Sequence, residues 1–170
     1  MFDLRMSEGA KPLFEQVKAF IADEVNPVTA EFFALGQDRD DRWSFVPGQI
    51  ELLDGVKAKA KDQGLWNFFL PDADTGEGLS NLDYAYIAAE LGRNPLAPEA
   101  LNCSAPDTGN MEVLSLYGTP EQKKRWLDPL LAGEIRSAFS MTEPEVASSD
   151  ATNIQCSIAP DVNHFRPLMT

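Results

Sequence analysis

The chain has 170 residues and a formal net charge of −13, because 27 acidic residues outnumber 14 basic ones. This length suits one domain or slightly more, and a composition of 44% hydrophobic and 24% charged residues is typical of a folded globular protein. The strong negative charge disfavours binding to nucleic acid and to anionic membrane surfaces. The sequence also lacks an apolar run of about 18 residues and a signal-peptide core, so we expect no membrane span and no secretion.

Residues that bind metals or act as nucleophiles are scarce. Cys103 and Cys156 are the two cysteines and His164 is the single histidine, which is too few for the usual zinc site of three or four ligands. We therefore expect no metal site and two free thiols in a reducing compartment. The triplet Ser-Ser-Asp at 148–150 lacks the glycines of a hydrolase nucleophile elbow, and the turn at 74–78 lacks the Lys-Ser/Thr of a phosphate-binding loop.

Hydrophobic periodicity predicts helices over most of the chain. The predicted amphipathic helices span 13–25, 49–63, 80–91 and 108–117. Pro27 is expected to interrupt the first of them, and Gly64 is placed to end the second in a left-handed conformation. Ser80, with Asp83 three residues later, is typical of a helix start.

The clearest local signal is a capping box. Thr119 is placed to cap a helix, Pro120 takes the first helical position, and the side chain of Gln122 can bond back to the cap. The helix that this box begins carries an apolar face and ends at Gly133.

The hydrophobic period changes after this helix. Alternating apolar residues predict strands over 135–141 and 154–158, and two strands are too few for a stable β-domain. We therefore expect a fold that is mainly α. It would comprise a helical bundle at 1–133, the first strands of an incomplete β-domain at 134–158, and an atypical tail at 159–170.

Three acidic residues lie between the two predicted strands. Glu143, Glu145 and Asp150 could form a carboxylate cluster, but we favour a solvated loop.

One stretch carries a more specific signal. The run Phe-Ser-Met-Thr-Glu-Pro at 139–144, followed by Ser-Ser-Asp at 148–150, resembles the flavin-contacting signature of the acyl-CoA dehydrogenases. The runs Gly-Leu-Trp at 64–66 and Tyr-Gly-Thr-Pro-Glu-Gln-Lys at 117–123 are similar to two further motifs of that family. The resemblance extends from about residue 7 to residue 158, and it implies that the bundle is the N-terminal helical domain of the family.

The resemblance implies a reaction and a cofactor. In this family an acyl-CoA thioester lies against the flavin of FAD, a carboxylate removes the α-proton, and the β-hydride passes to the flavin. Met141 and Thr142 match residues at the pyrimidine edge of the flavin, and Phe139 matches an aromatic residue near the flavin or the substrate. Ser148 or Ser149 matches the serine that contacts the FAD pyrophosphate or the pantetheine arm.

The wall of the acyl pocket matches the segment 101–106. The resemblance therefore implies that Leu101, Ser104 and Ser149 bind the acyl-CoA substrate. The loop at 145–147 reads Glu-Val-Ala where many members have a shorter Gly-Ala-Gly, so the choice between Ser148 and Ser149 stays open.

Several parts of the family pattern do not occur in this sequence. It contains neither the second flavin strand nor the C-terminal helices with the catalytic glutamate, and the residues after 158 do not resemble the family. We assign no catalytic residue and expect a truncated chain that is inactive alone. The alternatives are a non-catalytic helical module that binds acyl-CoA or a protein partner, and an acyl-CoA oxidase.

The resemblance also bears on partners and location. Full-length members pass electrons from the flavin to an acceptor and are homo-oligomeric. The expected location is the cytoplasm for a bacterial protein, and the mitochondrion or the peroxisome for a eukaryotic one.

Overall fold

The computed structural model describes residues 4–41, 43–70, 76–161 and 164–168, with the side chains of 160–168 outside the description. The chain forms two compact units, Met1–Ser137 and Ala138–Thr170. The helices are α1 (Lys11–Phe20), α2 (Asn26–Leu35), α3 (Pro47–Asp62), α4 (Asn81–Leu91), α5 (Ala97–Ala100), α6 (Asp107–Tyr117), α7 (Pro120–Gln122) and α8 (Asp128–Leu131). The strands are β1 (Ser157–Asp161) and β2 (His164–Leu168). The fold is mainly α, as predicted.

The first helix does not break at Pro27. A π-helical turn at Ile21–Val25 joins α1 to α2, and Pro27 lies at the second position of α2. Proline has no N–H to continue the hydrogen-bond ladder, and the wider turn immediately before it accommodates that loss. The chain therefore stays helical from Lys11 to Leu35.

The predicted helix boundaries are confirmed where the signal is local. Gly64 has φ +71 after α3, and the Ser80 side chain accepts a hydrogen bond of 3.1 Å from the Asp83 N–H at the start of α4. The capping box also forms, with Gln122 N–H donating to Thr119 Oγ1 at 3.3 Å and Thr119 N–H donating to Gln122 Oε1 at 2.9 Å.

The apolar core lies within the helical unit. Its helices pack in pairs, α2 against α3, α3 against α5, and α1 against α4. The largest side chains that are fully buried there include Phe68, Leu65, Leu70, Ile87, Leu101 and Met111. Each such side chain contributes about 1.5–3 kcal/mol by leaving water.

A buried pair of asparagines joins three segments of this core. The Asn102 amide donates to Asn67 Oδ1 at 2.6 Å and to the Leu130 carbonyl at 3.0 Å. The Asn67 amide and the Trp66 ring N–H both donate to the Leu131 carbonyl, at 2.9 and 2.7 Å. The carbonyls at the end of α8 are thereby satisfied by side chains from elsewhere in the unit.

The strand prediction is wrong over 135–141 and partly right over 154–158. Residues 135–141 contain no strand, and β1 begins only at Ser157. It pairs antiparallel with β2, from Ser157 opposite Leu168 to Asp161 opposite His164. A ladder needs a partner, and here that partner comes from the segment assigned to the tail.

Other expectations have mixed outcomes. Cys103 and Cys156 are both free. Two residues of the turn predicted at 74–78, Asp74 and Thr75, and the side chain of His164 lie outside the described residues. Within the described part of the chain, none of the helices has the length and apolar character to cross a membrane.

Candidate functional site

The residues that match the flavin-contacting signature lie in an exposed segment of the second unit. Phe139 is 64% exposed and Met141 is 36% exposed, and the Thr142 side chain is exposed as well. Large apolar side chains at such positions are available to pack against a ligand or another protein surface.

Two hydroxyl groups meet in this unit. Thr142 Oγ1 and Ser149 Oγ lie 2.9 Å apart, and either can be the donor. Each hydroxyl has one hydrogen, so the pair uses one of them and leaves the other for an acceptor outside the pair. Ser148 is exposed, and it is Ser149 whose hydroxyl lies beside Thr142.

The backbone around the two serines is in a conformation that favours glycine. Ser148 has φ +59 and Ser149 has φ +50, and the left-handed region costs a non-glycine residue about 1–2 kcal/mol. A glycine at either position would adopt this conformation without that cost.

The loop that contains Glu143, Glu145 and Asp150 is only partly exposed to solvent. The prediction of a solvated loop is wrong for Glu143. The Glu143 side chain is 3% exposed, and its carboxylate accepts the N–H of Gln155 at 2.9 Å and of Cys156 at 2.7 Å. Glu145 is exposed, as expected.

Asp150 is also exposed, and its carboxylate accepts hydrogen bonds from a residue two positions later. It accepts the Thr152 N–H and Thr152 hydroxyl at 2.9 and 2.8 Å, at the start of a short 3₁₀ turn. The hydrogen bond from the Thr152 side chain and the one from its N–H hold the pKa of Asp150 below its ordinary value. The three acids therefore form no cluster.

The residues matched to the acyl pocket differ in accessibility. Leu101 is 0% exposed and belongs to the core of the helical unit. Ser104 is half-buried, and its hydroxyl makes one long hydrogen bond, of 3.5 Å, to the Ala105 carbonyl. A ligand could reach Ser104 directly, whereas Leu101 could act only by shaping the wall behind it.

Cys103 lies between these two residues and is not poised to react. The thiol is 7% exposed and donates to the Leu101 carbonyl at 3.3 Å. Burial raises the pKa of the Cys103 thiol to about 12. The thiol is therefore neutral near pH 7, and a neutral thiol is a poor nucleophile.

Comparison with protein families decides the ancestry of the chain. The family model described as "Acyl-CoA dehydrogenase, N-terminal domain" matches residues 7–134. The chain belongs to the acyl-CoA dehydrogenase family.

Relatives in this family are similar along most of the chain. "Acyl-CoA dehydrogenase family member 11" of Gallus gallus is 54% identical over 162 residues, covering 94% of this chain and 20% of that protein. "Probable acyl-CoA dehydrogenase FadE2" of Mycobacterium tuberculosis is 58% identical over 111 residues, covering 65% of this chain and 26% of that protein.

A solved structure agrees with these relatives. The "Structure of a putative acyl-CoA dehydrogenase from Mycobacterium abscessus" has a TM-score of 0.81 and 48% identity, covering 93% of this chain and 40% of that one. The chain therefore spans about a fifth to a quarter of the curated relatives named here and two fifths of the solved one.

Sequence reasoning missed a polar cluster at the end of this helical domain. Asp107, 2% exposed at the start of α6, accepts the Ser137 N–H at 2.7 Å and the Ser137 hydroxyl at 2.5 Å. It also pairs with Arg136 Nε, while the Arg136 guanidinium contacts Glu99 at 2.5 Å. These partners lie about thirty residues from Asp107, and only the fold brings them together.

Asp107 is expected to make the stability of the helical domain sensitive to acid. Burial raises the pKa of Asp107, but the hydrogen bonds from Ser137 and the Arg136 guanidinium outweigh it, so the net pKa lies below the ordinary 3.8. A lowered carboxyl pKa stabilises the fold above pH 3.8, and that stabilisation disappears as the pH falls through the folded-state pKa. Urea unfolding at several acidic pH values will show a shallower loss of stability for Asp107→Asn than for the unaltered chain.

Ser137→Ala provides the graded control for this prediction. It keeps the carboxylate of Asp107 and removes one of its hydrogen bonds, so its acid sensitivity should lie between those of the other two chains. Identical pH profiles for all three chains would contradict the role of Asp107.

Proposed function

We propose that this chain supplies the N-terminal helical domain, residues 1–133, and the first flavin-contacting segment, within 134–158, of an FAD-dependent acyl-CoA dehydrogenase. The enzyme would remove a proton and a hydride from adjacent carbons of an acyl-CoA thioester. The observation that carries this proposal is the hydroxyl pair of Thr142 and Ser149, 2.9 Å apart beside the exposed Met141. It occurs in a chain that belongs to the acyl-CoA dehydrogenase family.

The chemistry of this segment fits the edge of a flavin. The pyrimidine edge of an isoalloxazine ring carries carbonyl oxygens that accept hydrogen bonds, and the hydroxyl pair keeps one hydrogen to donate. The ring itself is flat and largely apolar, and Phe139 and Met141 expose apolar surface. When bound, FAD would supply the acceptor for the hydride.

In this proposal, the residues of this chain would bind and orient the flavin and the acyl-CoA substrate. A hydroxyl from Thr142 or Ser149 would donate to the flavin edge, where negative charge grows on reduction, and a fixed dipole stabilises such charge. Ser104 would offer its hydroxyl to acyl-CoA. Ser149 is proposed, separately, as a contact of acyl-CoA because the resemblance implies that role. Leu101 would shape the acyl pocket from within the core.

Proton abstraction is not assigned to this chain. Asp107 and Glu143, the two most deeply buried carboxylates among the described residues, both accept main-chain N–H bonds. The acyl-CoA substrate, the acceptor that reoxidises the flavin, and the homo-oligomeric state are proposed for the whole protein that contains this domain.

A chimera tests this proposal. This chain would replace the matching part of the Mycobacterium abscessus protein, which covers 93% of it at 48% identity. We expect the purified chimera to keep FAD through desalting and to lose its visible flavin absorbance when acyl-CoA is added without oxygen. The chain by itself should keep no FAD, because it spans only 20% of the Gallus gallus relative and would supply only part of the contacts to the cofactor.

The other outcomes separate the alternatives. A chimera that folds, as judged by circular dichroism, but keeps no FAD would contradict the proposal. Acyl-CoA binding without flavin retention would instead favour a non-catalytic module. Hydrogen peroxide formed in proportion to the acyl-CoA consumed would indicate an oxidase.

A further inference from the structure

The second unit contains a buried carboxylate whose bonding partners are main-chain N–H groups. Glu143 is 3% exposed, with Oε2 accepting from Gln155 N–H at 2.9 Å and Oε1 accepting from Cys156 N–H at 2.7 Å. Removing a carboxylate from water is costly, and hydrogen bonds to the charged form offset that cost. The two oxygens are thus engaged by consecutive residues just before β1.

These two bonds close a loop. Glu143 is 12 residues from Gln155 and 13 from Cys156 along the chain, so its side chain holds both ends of the segment 144–154. Val146, inside this segment, is 5% exposed, and its N–H donates to the Glu143 carbonyl at 3.3 Å. The loop is therefore held at its base by the carboxylate and packed at one interior point.

The closed loop carries the strained backbone and the hydroxyl contact. Ser148 and Ser149 both have positive φ, and such conformations persist only where the surrounding structure holds them. The Ser149 hydroxyl reaches Thr142, seven residues earlier and directly before Glu143. Opening the loop at its base would let Ser149 leave Thr142.

We infer that Glu143 is a positioning residue, whose carboxylate closes the loop 144–154 and so holds the Ser149 hydroxyl beside Thr142 for a ligand that accepts their hydrogen bond. This inference rests on the proposed function in naming FAD as that ligand. The loop closure itself does not depend on FAD.

Amide hydrogen exchange in this chain tests the closure. Glu143→Gln has nearly the same shape but replaces one acceptor oxygen by an NH₂ group, so at least one of the amides of Gln155 and Cys156 should exchange about tenfold faster. Glu143→Asp keeps the charge with a shorter reach and should give an intermediate rate. The matched control is Glu145→Gln, an exposed acid in the same loop, which should leave both amides unchanged.

Flavin affinity of the chimera tests the positioning. Glu143→Gln should weaken FAD binding about tenfold, and Glu145→Gln should change it by less than about twofold. A double-mutant cycle with Thr142→Ala separates positioning from general loosening. If Glu143 acts through the hydroxyl pair, Thr142→Ala weakens binding in the parent chimera and adds little to Glu143→Gln.

Each result has a distinct meaning. Unchanged amide exchange in Glu143→Gln would overturn the loop closure. Faster exchange with unchanged FAD affinity, or fully additive effects in the cycle, would overturn the positioning role while FAD binding stands. A parent chimera that binds no FAD would refute both the proposed function and the role of Glu143 in flavin binding. Amide exchange in this chain would still test whether Glu143 closes the loop 144–154.

Discussion

Replacing Asn102 by alanine is expected to lower the free energy of unfolding by about 3 kcal/mol, from lost hydrogen bonds and left-handed backbone strain together. The Asn102 amide bonds to Asn67 Oδ1 and to the Leu130 carbonyl, and the residue is 8% exposed. Removing it leaves the buried Asn67 Oδ1 without this donor, whereas the Leu130 carbonyl keeps the Gly133 N–H at 3.0 Å. The backbone adds to the loss, because Asn102 has φ +54 and alanine tolerates that region less well.

Asn102→Gly separates the two contributions. Glycine also removes the amide but adopts positive φ without strain, so its loss should be smaller than that of alanine by about 1 kcal/mol. Urea unfolding followed by tryptophan fluorescence measures both variants. A loss under about 0.5 kcal/mol for Asn102→Ala would contradict the stabilising role of the asparagine pair.

Gly133→Ala is expected to destabilise the helical domain by about 2–4 kcal/mol, through backbone strain and overpacking. Gly133 has φ +69, and a Cβ there would lie 2.8 Å from Cζ2 of Trp66. The Trp66 ring cannot move freely, because its N–H donates to the Leu131 carbonyl at 2.7 Å and Lys61 Nζ lies 4.5 Å from the ring centroid.

The matched control is Gly64→Ala. Gly64 has nearly the same φ, +71, but a Cβ there would have no neighbour within 4 Å. It should cost only the strain, about 1 kcal/mol. Thermal unfolding of the two variants compares them directly, and equal losses would show that the contact with Trp66 contributes nothing.

The helices could be predicted because their signals are local. Ser80, Thr119 and Gly64 act on residues within a few positions of themselves, so the sequence contains both halves of each interaction. The π-helical turn before Pro27 was not foreseen, since proline indicates a lost hydrogen bond but not how the helix accommodates it.

The strands and the polar anchors were harder to predict because they depend on distant partners. An alternating pattern predicts which side chains share a face of a strand, but it does not predict which segment pairs with that strand. Residues 135–141 have the pattern and form no strand, whereas β1 pairs with β2, which lies in the predicted tail. The sequence predicts a solvated Glu143, because its two partners lie 12 and 13 residues away along the chain. Its acceptor role became visible only with Gln155 and Cys156 in place.

Family resemblance predicts the segment of the candidate site, and the geometry of its hydroxyls distinguishes between its serines. Composition and periodicity alone lead to a helical domain of unstated purpose. The Thr-Glu-Pro motif pointed to Thr142 and left Ser148 and Ser149 as equal candidates, and the hydroxyl contact of 2.9 Å favours Ser149.

The dissociation constant of FAD, measured for single alanine variants of the chimera, tests the central claim most directly. Thr142→Ala and Ser149→Ala should each weaken FAD binding by about threefold to tenfold, because each variant loses one hydrogen bond. Ser148→Ala changes a neighbouring hydroxyl at a similar φ and should stay within about twofold of the parent. Equal affinity for the parent and all three variants would contradict the assignment of this segment to the flavin.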